Sequence, residues 1–485
     1  MNSPDTRMAP QRSGGTGRRK AVVIGGGLAG ATAALKLADA GVATTLVESR
    51  PRLGGLAFSF RRDSPAGALT VDNGQHVHLR CCTAYTWFLE RIGGAQLAPL
   101  QRRLDVPVLD AAHERPRLAR LSRSALPVPL HLAGSLAAYR HLSLLERIAA
   151  GRAALALKKL DPADPALDGV DFATWLHRHG QTARAVEALW DLVGSATLNA
   201  RAPNASMGLA AMVFKTGLLS EPGAADIGVS GVPLGHLHDT LTRAALEAAG
   251  VRTVTQSKAR AVTARESGGW QVTVVHGQAP PLDHDADAVV LAVPQREAHE
   301  LLPEGALPDR RRLLDIGTAP IVNLHVLYDR RVLRRPFFAA LGSPLQWVFD
   351  RTGPSGIAGG QYLAVSQSAA YEEIDLPVGV LRERCLGELA RLLPAARGAV
   401  VRDFFVTRER AATFDPRPGV GRLRPAARTG APGVCLAGAW TDTGWPATME
   451  SAVRSGITAA REALTAMGRP YDNDTVPGTE GRAVA

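Results

Sequence analysis

Residues 20–48 read KAVVIGGGLAGATAALKLADAGVATTLVE, and this stretch decides the fold class. A short apolar run at 20–24 is followed by a glycine-rich turn and then by apolar residues that recur at helical spacing. A second apolar run follows at 42–48. Strand, helix and strand within about 30 residues form the unit from which parallel sheets are built. The sequence therefore predicts an α/β fold that opens with a Rossmann-like domain.

The turn at 25–30 has the pattern of a dinucleotide-binding loop. It reads GGGLAG, which matches GxGxxG, and it lies between a strand and a helix as that motif requires. Glycines let the backbone approach a pyrophosphate, and the first helical turn offers free N–H groups to the anion. Glu48, at the end of the second strand, can accept hydrogen bonds from ribose hydroxyls and would repel the 2′-phosphate of NADP. The predicted contacts in the loop are Gly25, Gly27, Leu28, Ala29 and Gly30.

The residues that follow favour FAD over NAD. Residues 48–55 read ESRPRLGG, which is an acid, a short basic turn and a glycine pair. A glycine pair lets the chain pass closely beneath an extended cofactor, and NAD-binding folds do not require one there. A plain Gly-Gly turn between strands is the alternative. The residues predicted to contact FAD here are Glu48, Ser49, Arg52, Gly54, Gly55 and Leu56.

A polar segment, DNGQH at 72–76, follows an apolar run at 68–71. Asp and Asn are common turn formers, so a hairpin turn is one interpretation. The other is a flavin-facing segment, in which Gly74 admits a close approach while Gln75 and His76 offer hydrogen-bond donors. His76 alone would be interpreted as a structural histidine, and its place beside the glycine-rich segments is what favours a role near the flavin.

The C-terminal region combines a strand, a glycine, an acid and a helix. Residues 436–450 read LAGAWTDTGWPATME, and a helix is predicted to begin near Ala447. Asp442 suits ribityl hydroxyls or pyrophosphate-bound water, and a helix N-terminus suits a flavin carbonyl that becomes electron-rich on reduction. A capped helix after a buried strand is the alternative. The predicted contacts are Gly438, Asp442, Trp445, Ala447, Thr448 and Met449.

Taken together, VVIGGGLAG, the RLGG turn and AGAWTDTGWPATMESAVRSG resemble the FAD-dependent amine oxidase and carotenoid desaturase superfamily. Within it, VDNGQHVHLRCCTAY and GWPATMESAVRSG are most similar to the hydroxysqualene dehydroxylase family, and the resemblance covers most of residues 20–465. It implies that the Val262 backbone meets the adenine and that 287–294 is a strand returning to the cofactor. Leu56 departs from the superfamily pattern, which often has Arg there, so a charge contact is missing or comes from another Arg.

The resemblance also implies a discontinuous FAD-binding domain and an α+β substrate domain with an antiparallel sheet and helices. The boundaries that we predict are a disordered tail at 1–19, FAD-binding parts at 20–105, 225–300 and 401–467, a helical substrate part at 106–224, a sheet part at 301–400 and a second disordered tail at 468–485. Hydrophobic patterning adds helices over 128–160, 172–190 and 234–250, and strands over 251–262, 271–275, 288–293, 319–327, 361–367 and 434–436.

The reaction implied is reductive removal of the allylic hydroxyl of hydroxysqualene, which gives squalene and water in squalene and hopanoid biosynthesis. Hydroxide is a poor leaving group, so a proton donor is needed. The allylic cation then takes a hydride from reduced FAD, and an apolar tunnel encloses the polyprenyl chain. His76 is the first candidate for the donor, because histidine titrates near neutral pH, and Asp72 and Tyr85 are further candidates. A carotenoid-type (phytoene) desaturase, a flavin amine oxidase and a non-catalytic FAD-binding partner protein are alternatives, and the electron donor stays open.

The amino-acid composition limits the binding partners and the cellular location that we expect. The 485 residues carry a net charge of +11, but the basic residues are scattered and form no stripe interleaved with aromatics, so nucleic acid is not expected. The four cysteines include no CxxC pair, so no metal site is predicted and a reducing, cytoplasmic location is expected. Residues 128–160 combine apolar and basic side chains. This pattern fits either a helix pair on the cytoplasmic membrane face or a core-facing helix with a solvated basic face.

Overall fold

The computed structural model describes residues 18–471, so most of both predicted tails lies outside the described residues. The described residues form nineteen strands: β1 Lys20–Ile24, β2 Ala43–Val47, β3 Ser59–Arg62, β4 Leu69–Asp72, β5 Val77–Leu79, β6 Asp105–Asp110, β7 Arg117–Ser122, β8 Ile227–Val229, β9 Arg252–Val254, β10 Ser257–Ala264, β11 Trp270–His276, β12 Leu282–Ala286, β13 Ala288–Leu291, β14 Ala319–Tyr328, β15 Phe337–Leu341, β16 Trp347–Asp350, β17 Gln361–Ser368, β18 Val401–Thr413 and β19 Val434–Leu436.

Fifteen α-helices are described as well: α1 Leu28–Asp39, α2 Thr83–Arg91, α3 Ala133–Ala138, α4 Leu144–Lys158, α5 Pro165–Asp168, α6 Phe172–Arg178, α7 Ala183–Ala185, α8 Asp191–Leu198, α9 Met207–Phe214, α10 Thr242–Ala248, α11 Gln295–Leu301, α12 Arg312–Asp315, α13 Thr352–Ser355, α14 Val378–Leu392 and α15 Met449–Ala466. Three π-helical segments extend this set, at Val186–Trp190, Lys215–Leu219 and His236–Leu241. Within the described residues, no helix is long and apolar enough to cross a bilayer.

A five-stranded parallel sheet forms the first layer, in the order β19-β13-β1-β2-β9. Its strands come from three separated stretches of the chain, as a discontinuous Rossmann-like domain requires. The central strand β1 is almost wholly buried, because α1 and α15 cover one face and an apolar cluster covers the other. The predicted α/β fold is confirmed.

A seven-stranded sheet forms the second unit, in the order β18-β14-β17-β16-β15-β6-β7, and all its neighbours are antiparallel except β15 and β6. Successive residues of a strand point to opposite faces. In β14, Val322, Leu324 and Val326 accordingly pack in the cluster beneath α14. Asn323 and His325 point the other way: Asn323 donates to the Asn73 carbonyl, and His325 hydrogen-bonds to the Thr407 hydroxyl of β18. The sheet thus presents polar side chains to the site from an otherwise apolar strand.

Several elements differ from their predicted places. Strand β18 belongs to the seven-stranded sheet, whereas the sequence places 401–467 in the FAD-binding domain. Strands β6 and β7 belong to the same sheet, although the sequence predicts that 106–224 is the helical part of the substrate domain. The strand predicted over 251–262 divides at Gln256, which has a φ of 53°. Strand β9 before it extends the parallel sheet, while β10 after it starts a separate three-stranded antiparallel sheet.

The helix predicted over 128–160 is two helices. Ser143 caps α4 through a reciprocal capping box, in which its hydroxyl accepts from the Glu146 backbone N–H and the Glu146 carboxylate accepts from the Ser143 N–H. Such a Ser-x-x-Glu pattern starts a new helix, so the predicted helix is interrupted between α3 and α4.

Close packing of α1 on α15 depends on glycine. A Cβ on Gly456 would overlap the carbonyl oxygen of Ala29 and lie 2.9 Å from the Thr32 Cβ. The two helices therefore approach each other with backbone against backbone, and this contact holds α15 over the parallel sheet.

Replacing Gly456 with Ala should lower the stability by about 1–3 kcal/mol, because the helices must separate to admit a methyl group. Gly387 in α14 is the matched control: open space surrounds the position of its missing Cβ. G387A should therefore raise stability by about 0.5–1 kcal/mol through helix propensity. Thermal unfolding of the two variants measures both effects, and a G456A protein as stable as the unmodified chain would contradict the close-packing argument.

Candidate active site

Two bare stretches of backbone face each other at the carboxyl ends of β1 and β2. A Cβ on Gly55 would lie 3.0 Å from the Gly27 Cα, and the Gly54 N–H donates to the Gly26 carbonyl at 2.9 Å. Gly54 and Gly55 have φ values of 94° and 58°, which favour glycine. The first βα turn and the glycine pair thus form one cradle without side chains, as the sequence predicted for a close-lying cofactor.

Helix α1 starts in this cradle. Its N-cap residue is Gly27, which has no side chain to cap the helix. The first backbone N–H groups of an α-helix have no intrahelical partner, so those of Leu28 and Ala29 are directed out of the helix end. Such an end attracts phosphate through its dipole and its donors. The arrangement fits the pyrophosphate of a dinucleotide.

Glu48 braces the same turn. Its Oε2 accepts from the Gly26 N–H at 2.6 Å, and its Oε1 accepts from the Arg50 N–H at 2.7 Å and from the Ser49 hydroxyl at 3.2 Å. A carboxylate has about four acceptor positions, so one remains for a ribose hydroxyl. Glu48 therefore shapes the loop and keeps capacity for the predicted ribose contact.

A cation is present at the glycine pair. Leu56, where the superfamily often has Arg, is 51% exposed. The Arg52 guanidinium instead lies 3.4 Å from the centroid of the Phe58 ring and donates to the carbonyl of Gly55 at 3.0 Å. Arg52 thus supplies a positive charge in the loop from a position four residues earlier.

The 438–446 loop is held by a residue that the sequence did not single out. Arg424 is buried, and its guanidinium donates to the carbonyls of Ala439, Trp440, Thr441 and Trp445. Burial lowers its pKa to about 10, so it keeps its charge at neutral pH. Nothing in a chain with 56 Lys and Arg residues distinguishes this one, because its partners are backbone carbonyls that the fold brings together.

The last helix begins at Met449, two residues later than predicted. Thr448 is the N-cap, and its hydroxyl accepts from the Ser451 N–H at 3.2 Å. In the first turn, the Glu450 carboxylate accepts from the N–H groups of Ala84 and Tyr85, which begin α2. Ala447 packs on the apolar cluster that contains Trp440, and Asp442 is exposed. Glu450 therefore fixes α15 against the segment that follows the polar stretch at 72–76.

Asp72 is a buried anion with three partners. Its carboxylate accepts from Arg351 Nη2 at 2.8 Å, from the Ser59 hydroxyl at 2.6 Å and from the Leu234 N–H at 2.9 Å. Both members of the ion pair are about 5% exposed. Removing one partner of such a pair leaves an uncompensated buried charge, so the group is a structural anchor.

Asn73 joins the cofactor loop to the substrate sheet. Its Nδ2 donates to the Leu56 carbonyl and to the Glu409 carboxylate, both at 2.9 Å. Its carbonyl accepts from Asn323 Nδ2 at 3.1 Å and from the Thr407 hydroxyl at 2.8 Å. One residue thus fixes the distance between the glycine pair and strands β14 and β18.

Gln75 and His76 continue this segment. Gln75 Nε2 is buried without a hydrogen-bond partner among the described residues, which fits a further polar group in this region. His76 is half-buried, and its Nδ1 lies 3.1 Å from the Gly74 carbonyl. Burial lowers the pKa of His76, which keeps the ring neutral at pH 7. Its catalytic assignment stays a prediction.

Tyr85 lies behind the cofactor loop. Its hydroxyl is 2.8 Å from His238 Nε2, and His238 Nδ1 is 2.9 Å from the Ala57 carbonyl. A carbonyl can only accept, so His238 donates from Nδ1 and accepts from Tyr85 at Nε2. Burial raises the pKa of Tyr85 and lowers that of His238 to about 4. The sequence did not identify His238, since its partners lie more than 150 residues away.

Val262, predicted to meet the adenine through its backbone, lies in the middle of β10, opposite Val272. Its side chain is buried in the apolar cluster beneath the parallel sheet. The start of β10 does reach the cofactor region, because the Ser257 N–H donates to the Glu48 carbonyl at 2.9 Å. The adenine contact stays a prediction.

Arg424→Met should loosen the 438–446 loop, because it leaves up to four buried carbonyls without their donor, at about 1–3 kcal/mol for each that stays dry. We expect a lower melting temperature and flavin retention weakened about ten-fold or more. R422M is the control, because Arg422 is the exposed neighbour two residues earlier. Equal flavin content in both variants after gel filtration would contradict the role assigned to Arg424.

The buried histidines should make the fold sensitive to acid. His78 and His238 have pKa values of about 4 and His325 of about 3, all lowered by burial. An unfolded histidine titrates near 6.5, so the unfolded chain binds more protons below that pH. Stability is therefore complete above about pH 6.5 and falls as the pH drops toward 4.

In H238Q, the slope of unfolding free energy against pH should be shallower by roughly 1 kcal/mol per pH unit between pH 6 and 4.5. H236Q is the control, because its side chain is exposed in the folded protein. Melting temperatures across this range test the prediction, and parallel curves for H238Q and the unmodified protein would refute it.

Comparison with known proteins agrees with this geometry. Residues 28–464 match the family described as flavin containing amine oxidoreductase. The chain is 30% identical to the hydroxysqualene dehydroxylase of Rhodopseudomonas palustris, over 92% of this chain and 98% of that protein. It is 23% identical to the chloroplastic/chromoplastic 15-cis-phytoene desaturase of Solanum lycopersicum, over 91% of this chain and 76% of that protein. The solved structure of cyclohexylamine oxidase from Brevibacterium oxydans shares the fold, with a TM-score of 0.65 at 19% identity and coverage of 93% and 100%.

Proposed function

This chain belongs to the flavin containing amine oxidoreductase family and, within it, to the hydroxysqualene dehydroxylases, and on that basis we propose the reaction that it catalyses. It is an FAD-dependent oxidoreductase. The proposed reaction replaces the allylic hydroxyl of hydroxysqualene with hydrogen. One proton and one hydride enter, and squalene and water leave. Bound FAD, in its reduced form, supplies the hydride.

The observation that carries this proposal is the similarity to a hydroxysqualene dehydroxylase over 92% of this chain and 98% of that protein. An extensive apolar cluster next to the cofactor loop supports an apolar substrate. Trp440 and Ala447, beside the cofactor loop, belong to one apolar cluster with the rings of Phe172, Trp190 and Phe214. These three rings pack with centroids 5.1–5.9 Å apart. We propose that a polyprenyl chain reaches the cofactor along helices α6, α8 and α9 and the π-helical segment Val186–Trp190, whose buried apolar side chains belong to this cluster.

The polar side of the site combines neutral groups with one carboxylate. His325 lies 2.6 Å from the Tyr362 hydroxyl and 3.0 Å from the Thr407 hydroxyl, and burial keeps it neutral. Asn73 accepts from Asn323 and donates to the Glu409 carboxylate. Because that carboxylate could act as a countercharge for an alkylammonium ion, the preference for hydroxysqualene over an amine rests on the sequence similarity.

His76 is our first candidate for the proton donor. Asp72 is held as an anion by Arg351, and Tyr85 retains its proton within a buried pair with His238, so both suit positioning better than proton transfer. His76 is half-buried and so can exchange protons with solvent. In the proposed reaction it would protonate the leaving hydroxyl.

An anaerobic assay tests the direction of the reaction. The holoenzyme is reduced with dithionite, hydroxysqualene is added, and the oxidised-flavin band at about 450 nm is followed while products are extracted. Return of the band together with squalene is the expected result. If the band does not return, and the oxidised enzyme is instead bleached by phytoene or squalene, the chain is a desaturase.

His76→Ala tests the donor. We expect the rate of flavin reoxidation, measured per bound flavin, to fall about 10²–10⁴-fold. Because the acid form of His76 becomes more abundant as the pH falls, the rate of the unmodified enzyme should rise from pH 8 to pH 6, and that of H76A should not. The exposed-site variant H236Q serves as the control. Equal rates and pH profiles for H76A and the control would remove His76 from the mechanism.

A further inference from the structure

The large apolar side chains at the surface are concentrated in one region. Fourteen of them are exposed among the described residues, and six fall within the 30 residues from 126 to 155. These six are Leu126, Leu130, Leu144, Leu145, Ile148 and Leu155. We call them the apolar patch. Scattered exposed leucines are normal, whereas a concentration of this kind marks an interaction surface.

Helix α4 contributes four of the six. At about 100° per residue, Leu144, Leu145, Ile148 and Leu155 fall within an arc of about 100°. The opposite arc carries Ala150, Ala153 and Leu157, which are buried. Leu144 and Leu145 are 68% and 78% exposed, so the apolar side chains of the outward arc are largely in contact with water. The helix therefore has two apolar faces, and only the inner one is covered by the protein.

Positive charge surrounds the apolar patch. Residues 126–159 contain five Arg and Lys residues and a single acid, Glu146. That carboxylate is occupied by the Ser143 N–H and the Thr182 hydroxyl. Arg152 and Lys159 are exposed and fall on the same arc as Leu155. The surface thus combines leucine side chains with cations whose charge no exposed acid of the segment balances.

The charge around the apolar patch indicates which kind of partner binds there. A second copy of the chain would place one basic patch against another, in a protein with a net charge of +11, so symmetric self-association is disfavoured. A bilayer with anionic lipids matches both components, since acyl chains accept the leucines and headgroups accept the cations. We propose that α4 and the loop before it bind the protein to the surface of an anionic bilayer, with the apolar patch inserted at the headgroup–acyl boundary.

The position of α4 connects the proposed docking surface with the cofactor loop. Its inner residues Ala153 and Leu157 belong to the same apolar cluster as Phe172, Phe214 and Trp440. Helix α4 and the cofactor loop therefore pack on the same continuous apolar cluster. If the proposed function holds, this surface faces the phase in which a polyprenyl substrate dissolves. The docking itself rests only on the exposed residues and their charge.

Vesicle flotation of the holoenzyme tests the proposal without substrate. The probes are vesicles of phosphatidylcholine alone and with about 30% phosphatidylglycerol. The protein should float with the anionic vesicles and bind the neutral ones much less. L145Q/I148Q and R152E/K159E should each weaken binding about ten-fold or more, while L282Q, on the distant strand β12 and 57% exposed in its native form, should bind normally. Flavin spectra and melting temperatures verify that each variant is folded.

Three outcomes would overturn the proposal: no flotation with anionic vesicles, equal binding to neutral ones, or unchanged binding by both double variants. Capture of an acidic protein by this surface without vesicle binding would do the same and would assign the patch to a protein partner. Because no hydroxysqualene is present, failure here is distinct from failure of the proposed reaction.

Discussion

Contact between bare backbones at the first βα turn is the constraint on which the rest of the structure depends. Gly30 lies so close to the Gly25 carbonyl that a Cβ would overlap it, and Gly25 is equally close to the carbonyl of Ala292. The turn also meets Gly55 and, through α1, Gly456. Four stretches that are far apart in sequence converge here, and each contact has a glycine on at least one side. The glycines of the first turn and of the 54–55 pair leave the start of α1 open to a cofactor pyrophosphate.

From this junction, one polar network sets the distance to the substrate sheet. Asn73 spans from the Leu56 carbonyl to strands β14 and β18, and the Asp72–Arg351 pair ties the same segment to the end of β16. A buried ion pair adds little net stability, because desolvation offsets most of the attraction. Its benefit is geometric: with both charges satisfied, the segment has one low-energy position. The site is thus built by groups that orient the chain and do not themselves react.

What the sequence could predict follows from the range of the interactions. The βαβ unit, its glycine-rich turn, the glycine pair and the acid at position 48 are short patterns visible in the chain, although the contact between the two glycine segments forms only on folding. Arg424 and His238 depend on carbonyls and hydroxyls contributed from other parts of the chain, so their environment exists only after folding. The division at Gln256 was missed for a related reason. A continuous apolar pattern does not show that its two halves join different sheets.

The buried histidines differ from His76 in their access to solvent. His78, His238 and His325 are each less than 7% exposed, and burial lowers the pKa of each, so these three imidazoles are neutral at pH 7 in the folded protein. In the proposed reaction, the proton has to arrive on a group that meets both solvent and the site. Of these histidines and His76, only His76 is partly exposed. If the proposed reaction holds, His76 is therefore the one of these four imidazoles that is placed to take up a proton from solvent and deliver it to the site.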